Sequence, residues 1–180
     1  MSNKHKLSTR DYILYLLNKI ELAKVGKIRL NKLAFFVEFG YIYKTGKQLS
    51  ETEYAGINLG PVINDYRKIL AQMEKDGDVK MEGDRIVPLK NSNLIPDEVR
   101  VVIDPLIARF DAQPDRLLVS MSHATDAYKI TTIDEKVMGK IIDKSLAPLE
   151  TAFFDEKTIV EDLQDLPSIN RNKLVPYEFG

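Results

Sequence analysis

The fold is decided by IRLNKLAFFVEFGYIYK, residues 28–44. Apolar residues occupy too many of its positions to form a single stripe at the helical period, so the segment predicts a helix with neighbours on several sides. Gly46 follows, and glycine is the residue that most often ends a helix in the left-handed conformation. We therefore expect this central helix to form the core, with the remaining elements packed around it.

A Gly-Pro step follows the central helix after a short loop or extended segment. Proline has a fixed φ and no N–H, and both properties suit the first turn of a helix. Gly60 and Pro61 are therefore interpreted as the start of a second helix, whose apolar stripe ends at Met73. The pattern predicts one packed corner between this step and Leu30-Asn31-Lys32-Leu33 of the central helix.

Local signals predict helices through most of the remaining chain. Ser8 followed by Asp11 resembles a capping box, and the helix that they begin should end near Gly26. Breaker residues and apolar stripes predict a hairpin with strands at Val79–Met81 and Arg85–Leu89, and further helices beginning at Pro96, Pro114, Asp134 and residue 151. The fold class is therefore mainly α, a single compact helical domain with a small β-hairpin. The expected domain covers residues 1–166, and residues 167–180 should form a mobile C-terminal tail.

Composition is typical of a soluble globular protein. Of the 180 residues, 44% are hydrophobic, which is enough for a core, and no apolar run approaches the ~18 residues of a membrane span. Cysteine is absent, which excludes disulfides, thiolate catalysis and cysteine-bound zinc and fits a reducing compartment. Because the start of the chain lacks an apolar leader, we expect a cytoplasmic protein without membrane contact.

Charge is unevenly distributed although the net charge is −1. The first 48 residues carry ten Lys and Arg against three Asp and Glu, so the rest of the chain is acidic. Such a polarity favours self-neutralisation on folding, and it can also attract a charged partner.

A winged-helix-like nucleic-acid-binding regulator is the alternative function. Three helices followed by a hairpin describe a winged helix, and basic residues lie at both ends of the central helix. The residues predicted to contact phosphate in that case are Lys24, Lys27, Arg29 and Lys32. Against this alternative, the central helix is too apolar to face a DNA groove, so we do not favour a nucleic-acid partner.

The sequence contains few residues that could form a catalytic site. Ser122, His123 and Asp126 supply the residue types of a nucleophile, a base and an orienter, but adjacent residues on a helix point about 100° apart. His123 and Asp126 could hold only one edge of a metal site, and we interpret Asp126 as a surface acceptor for His123. No phosphate-binding glycine motif occurs. We predict no catalytic residue, no cofactor and no metal, and hence a binding protein, with a hydrolase or transferase that uses His123 as the competing hypothesis.

Two motifs in register support a family resemblance. The segment IRLNKLAFFVEFGYIYKTGKQL, followed by GINLGPVINDYRKI, resembles the Panacea, or SocA-like, antitoxin domain family, which includes phage-associated GepA-like proteins. Further along, Ser122-His123 and Ala127-Tyr128 take the places of the family's Thr-His and Pro-Trp. The resemblance covers about residues 8–130. The family's tryptophans are missing here, because the chain contains none.

The resemblance implies a protein-binding module that neutralises a cognate toxin. Neutralisation would occur by direct binding, or by handing the toxin to an ATP-dependent protease as an adaptor. The residues that would bind the partner are Lys32, Gly60, Pro61, His123 and Tyr128. The competing structural interpretation makes Lys32 a snorkelling residue at the core edge, Gly60-Pro61 a plain helix start and His123 a satisfied core histidine.

Overall fold

The computed structural model describes residues 6–21, 25–92 and 94–155 of the chain. Its helices are α1 (Thr9–Lys19), α2 (Lys27–Thr45), α3 (Tyr66–Lys75), α4 (Asp97–Asp111), α5 (Asp115–His123), α6 (Asp126–Thr132), a 3₁₀ helix (Lys144–Leu149) and α7 (Thr151–Phe154). Its strands are β1 (Tyr54–Ile57), β2 (Gly60–Ile63), β3 (Val79–Glu82), β4 (Arg85–Pro88) and β5 (Lys140–Ile141). They form an antiparallel sheet in the order β2-β1-β5 and a separate β3–β4 hairpin. The predicted fold class, mainly α with small β elements, is confirmed.

Helix α2 runs through the centre of the fold, as the sequence predicts. Fourteen of its nineteen residues are buried, and it packs against α1, α4, α5, β2 and the 3₁₀ helix. Phe36 stacks on Phe110 of α4 with ring centroids 4.5 Å apart, and Phe35 meets Tyr54 of β1 edge-on. Gly46 ends the helix at a φ of 69°, in the left-handed region. The core is therefore built outward from this one helix.

Helix α1 begins where the sequence predicts but ends earlier than predicted. The Ser8 hydroxyl accepts a hydrogen bond from the Asp11 N–H at 3.1 Å, which confirms the N-cap. The helix stops at Lys19 instead of near Gly26, because Ile20 turns to an extended conformation that keeps its side chain in the core. Gly26 instead precedes α2 as its N-cap.

A buried carboxylate fixes the segment between α2 and β1. Glu38 is fully buried, and its oxygens accept hydrogen bonds from the N–H groups of Leu49 and Ser50, at 3.0 and 3.1 Å, and from the Ser50 hydroxyl. The Lys144 ammonium from the 3₁₀ helix pairs with the same carboxylate at 3.1 Å. The charge and the lone pairs of Glu38 are thereby satisfied inside the core, and the chain that leads into β1 is held in place.

Gly60 and Pro61 do not begin a helix, so the prediction for this step is wrong. They open strand β2, which forms an antiparallel hairpin with β1, and Ile57 faces Gly60 across the Asn58-Leu59 turn. Proline suits this place as well, because an edge strand tolerates a residue without an N–H. Helix α3, which carries the predicted apolar stripe, starts only after β2 and a short turn.

The second half agrees with the prediction through α5 and departs from it after α6. The β3–β4 hairpin and helices α4, α5 and α7 begin where the sequence predicts. The helix predicted from Asp134 is wrong, because Ile133, Asp134 and Glu135 have φ values of 50°, 49° and 67°, which is left-handed backbone. Gly139, at a φ of 80°, precedes β5, whose pairing with β1 overrides the apolar helical pattern. Residues 156–180, which include the predicted tail and its boundary, lie outside the described residues.

Candidate partner-binding site

The five residues predicted to bind a partner come together around the β1–β2 hairpin. Lys32 lies on α2, Gly60 and Pro61 open β2, His123 ends α5, and Tyr128 lies on α6. Each of them contacts the hairpin or forms part of it, although they come from four different elements. The hairpin is therefore the centre of the candidate site.

Side chains of α2 close the outer edge of β2. Lys32 donates a hydrogen bond from Nζ to the Pro61 carbonyl at 2.9 Å. The neighbouring Asn31 accepts the Ile63 N–H through its side-chain oxygen at 2.7 Å. Because Pro61 has no N–H of its own, this edge needs few partners, and α2 supplies them. The LNKL and LGPV motifs of the sequence are thus two halves of one contact.

Lys32 is a core residue and does not snorkel to the surface. Its side chain is fully buried, and no carboxylate within the described ranges pairs with it. Burial lowers the pKa of its ammonium well below the ordinary value of 10.5. The predicted snorkelling position at the core edge is therefore wrong, because the amine finds its acceptor inside, at the strand edge.

Replacing Lys32 by methionine should remove a pH dependence of stability. Because the folded pKa of Lys32 lies below 10.5, the unfolded chain binds more protons than the folded chain between the two values. The free energy of unfolding of the wild-type protein should rise with pH in that interval, by up to about 1.4 kcal/mol per pH unit, and the variant should lack this rise.

Urea denaturation of both proteins between about pH 7 and about pH 9.5 measures the difference. The range stops there because burial raises the pKa of Tyr12 and of Tyr54, and their ionisation acts in the opposite direction above about pH 10. Parallel curves for the two proteins would contradict the assignment of a desolvated amine at Lys32.

Gly60 lets the hairpin approach α2 and α5 closely. Its φ is 89°, in the region that favours glycine, and a Cβ atom here would overlap Ser122 Oγ and lie 3.0 Å from Lys32 Nζ. Ser122 is itself buried and donates its hydroxyl to the Val119 carbonyl at 2.8 Å. Any side chain at position 60 would therefore push the hairpin away from both helices.

His123 ties the hairpin turn to the end of α5. Its Nε2 lies 2.7 Å from the Asn58 carbonyl oxygen, and its Nδ1 lies 2.9 Å from the Val119 carbonyl oxygen. Glu135 Oε1 also lies near the ring, 3.6 Å from Nε2. The predicted acceptor for His123, Asp126, is wrong, because α5 ends at His123 and Asp126 begins a separate helix.

Tyr128 holds the other side of the turn. Its hydroxyl donates a hydrogen bond to the Ile57 carbonyl at 2.7 Å. Its ring meets the His123 ring edge-on, with centroids 5.0 Å apart. Side chains of α5 and α6 therefore hold the turn by hydrogen bonds to two successive carbonyls, those of Ile57 and Asn58. We refer to Asn31, Lys32, Gly60, Ser122, His123 and Tyr128 as the hairpin lock.

Sequence reasoning did not assign three residues of this arrangement to the site: Asn31, Ser122 and Glu150. Asn31 was detectable, because a polar residue in an apolar helix needs a buried partner. Glu150 accepts hydrogen bonds from the N–H groups that begin α6, at 2.7 and 3.1 Å, and burial raises its pKa to about 7. Glu150 lies 23 residues after Ala127, whose N–H it accepts, so no local pattern indicates its role.

The hairpin lock is buried, and the part of the hairpin that solvent reaches is its turn. Lys32, Gly60, Pro61 and Tyr128 are buried, and the His123 side chain is 11% exposed. The turn residues, Asn58-Leu59, are half-buried. The five predicted residues therefore fix the hairpin from within, and their effect on a partner stays a prediction.

Ser122 and His123 are not arranged as a nucleophile and its base in the structure. The Ser122 hydroxyl and His123 Nδ1 both contact the Val119 carbonyl, so neither is directed at the other. No group of three His, Asp or Glu side chains among the described residues could hold a metal ion. Nor does any helix among those residues have the length and apolar character to cross a membrane.

Two of the four residues predicted to contact phosphate in a winged helix are buried in the structure. Arg29 is buried and pairs with Asp111 and Asp115 at 2.9 and 2.8 Å, and Lys32 is buried at the hairpin. The β1–β2 hairpin also separates α2 from α3, so no short turn joins these helices as it does in a helix-turn-helix. Lys24 lies outside the described residues.

Residues 30–129 match the model of the family described as antitoxin SocA-like, Panacea domain. The chain belongs to this family. The match confirms the resemblance inferred from the two motifs, and in this Panacea-domain protein the matched segment contains every residue of the hairpin lock. No curated protein and no solved structure gave a match to the chain.

Proposed function

We propose that this Panacea-domain protein is an antitoxin-like module that neutralises a cognate toxin by direct binding. Membership of the SocA-like antitoxin family supports this function. The absence of cysteine from the sequence fits action in the reducing cytoplasm. The partner is accordingly a protein, and binding alone is sufficient for the effect.

The hairpin lock is the observation that carries the proposal. Buried polar groups cost free energy unless they are paired, and here Lys32, Asn31, His123 and Tyr128 all use their hydrogen bonds to hold one short hairpin. A surface that is fixed before the partner arrives loses less entropy on binding than a mobile one. The lock therefore suits a protein that must bind its partner tightly and at once.

Co-expression with the neighbouring open reading frame tests the proposal. Expression of that neighbour alone should arrest growth, and adding this protein should restore growth and yield a stoichiometric complex on co-purification. A variant with a disrupted start codon serves as the control for gene dosage. Lack of rescue together with lack of co-purification would contradict the proposed function.

A protease-adaptor mode is the finer alternative within the same function, and toxin lifetime separates the two modes. Direct neutralisation predicts an unchanged toxin half-life and rescue in hosts that lack individual ATP-dependent proteases. An adaptor predicts a shortened toxin half-life and loss of rescue in one such host. Immunoblots of a tagged toxin after translation is stopped provide the measurement.

A further inference from the structure

A groove runs along the outside of the fold beside β2. It has a volume of about 770 Å³ and lies between the N-terminal end of α1, residues 51–53 and α3. Carbon atoms of Ile63, Ile69 and Met73 contribute to its lining. A smaller hollow of about 300 Å³ continues it toward β1 and shares residues 63–65 with it. We refer to this elongated depression as the β2 groove.

The hairpin lock positions one wall of the β2 groove. Ile63, the last residue of β2, lines the groove, and its N–H is held by the Asn31 side chain. On the opposite wall, Met73 is almost fully buried in α3, while Ile69 is partly exposed. The lock therefore holds the β2 wall of the groove, and the exposed apolar surface of the groove is modest and flanked by charge.

Negative charge prevails along the rim of the β2 groove. The exposed carboxylates that line it and form no ion pair within the described ranges are Glu51, Glu53 and Asp65. Asp76 lines it too, but Arg10 neutralises this residue at 3.0 Å. Lys68 lines both hollows, and Arg67, which lies over the Tyr66 ring, lines the smaller one. The three carboxylates therefore outnumber these two cations.

We infer that the β2 groove binds a cationic, amphipathic segment of the partner protein, which under the function proposed above is the toxin. Lys and Arg have aliphatic stems that can lie along the partly exposed Ile69 while their charged ends reach the rim carboxylates. An acidic segment would meet like charge along the rim, and a purely apolar one would desolvate carboxylates without pairing them. The inference rests on the proposed function, but its probe does not require the toxin.

A designed peptide tests the groove directly. The probe is a short helix-forming peptide of leucine and lysine, and its matched control replaces each lysine by glutamate. The full chain should bind the lysine peptide in a salt-sensitive manner and should not bind the glutamate peptide. A variant with Glu51→Lys and Glu53→Lys should weaken binding about tenfold or more, because two attractive contacts become repulsive.

The matched protein control carries Asp84→Lys and Asp97→Lys, which make the same change of net charge at exposed positions outside the groove lining. It should weaken binding less than about twofold. Glu51→Gln with Glu53→Gln removes the charges without reversing them and should give an intermediate loss. Equal weakening by the two lysine variants, or no weakening by the groove variant, would overturn the inference.

The toxin itself distinguishes failure of the inference from failure of the proposed function. If the wild-type chain co-purifies with the toxin and the groove variant does not, the inference is supported. If both co-purify equally, the groove is not the binding surface, although the proposed function stands. If the wild-type chain fails to bind the toxin, the proposed function fails, and the peptide experiment alone decides whether the groove selects cationic segments.

Discussion

Replacing Gly60 by alanine is expected to lower the free energy of unfolding by about 3 kcal/mol. Two costs add here. An L-residue at a φ of 89° is strained, and the new methyl group would overlap Ser122 Oγ and press on Lys32 Nζ. Neither neighbour can yield easily, because both are fully buried and each is held by its own hydrogen bond. The midpoint of urea denaturation, with the slope compared to that of the wild-type protein, measures the loss.

Gly77→Ala is the matched control for this prediction. Gly77 has a φ of 74°, but nothing lies within 4 Å of the position that a Cβ would take. The free energy of unfolding of the control variant should therefore fall only by the conformational strain, about 1 kcal/mol. An equal loss of unfolding free energy in the two variants would show that the close approach of the hairpin to α2 and α5 does not affect stability. The hairpin lock would then be misassigned.

Replacing Glu38 by alanine should cost about 4 kcal/mol. The change leaves the N–H groups of Leu49 and Ser50 without acceptors and the nearly buried ammonium of Lys144 without its carboxylate. Removing one partner of a buried ionic network costs more than the network contributes, because the remaining charge stays desolvated. Urea denaturation at neutral pH provides the measurement.

Glu51→Ala serves as the comparison for Glu38→Ala. Glu51 lies in the same segment, is exposed and makes no ion pair in the described ranges, so its removal should change stability by less than about 0.5 kcal/mol. Glu38→Gln keeps an acceptor oxygen and should fall between the two. A loss below about 1 kcal/mol for Glu38→Ala would show that the Glu38 network does not hold the chain before β1.

Helix ends in this protein were predictable where their signals are local. Ser8 caps α1 through Asp11, and Gly46 ends α2, because each depends on residues within one turn. The Gly60-Pro61 step was not predictable in this way. A missing N–H is tolerated equally at the start of a helix and on an edge strand, so the same property of Pro61 fits both.

Tertiary pairing also explains the helix that was wrongly predicted after α6. Apolar residues in that stretch recur at helical spacing, but Ile142 donates its N–H to the Tyr54 carbonyl and joins the sheet. Gly139 inside the pattern was the local signal against a helix. The sheet partner lies more than eighty residues earlier in the sequence, so the pattern alone could not reveal it.

The candidate site was predicted as a set of residues but not as an arrangement. Motif resemblance brought Lys32, Gly60, Pro61, His123 and Tyr128 together, and the structure places all of them at one hairpin. Their burial could not be predicted, because it depends on contacts such as that between His123 and Asn58, which are 65 residues apart. Sequence reasoning also missed the β2 groove, whose walls come from three separate segments.

Because α2 covers the outer edge of β2, this edge is protected from aggregation during synthesis of the chain. A strand whose outer N–H and C=O groups are free can pair with a second chain and so begin aggregation. Helix α2 precedes β2 in the sequence, so Asn31 and Lys32 have already left the ribosome when the strand emerges. The nascent chain can therefore cover this edge as soon as the hairpin forms, before a second chain can pair with it.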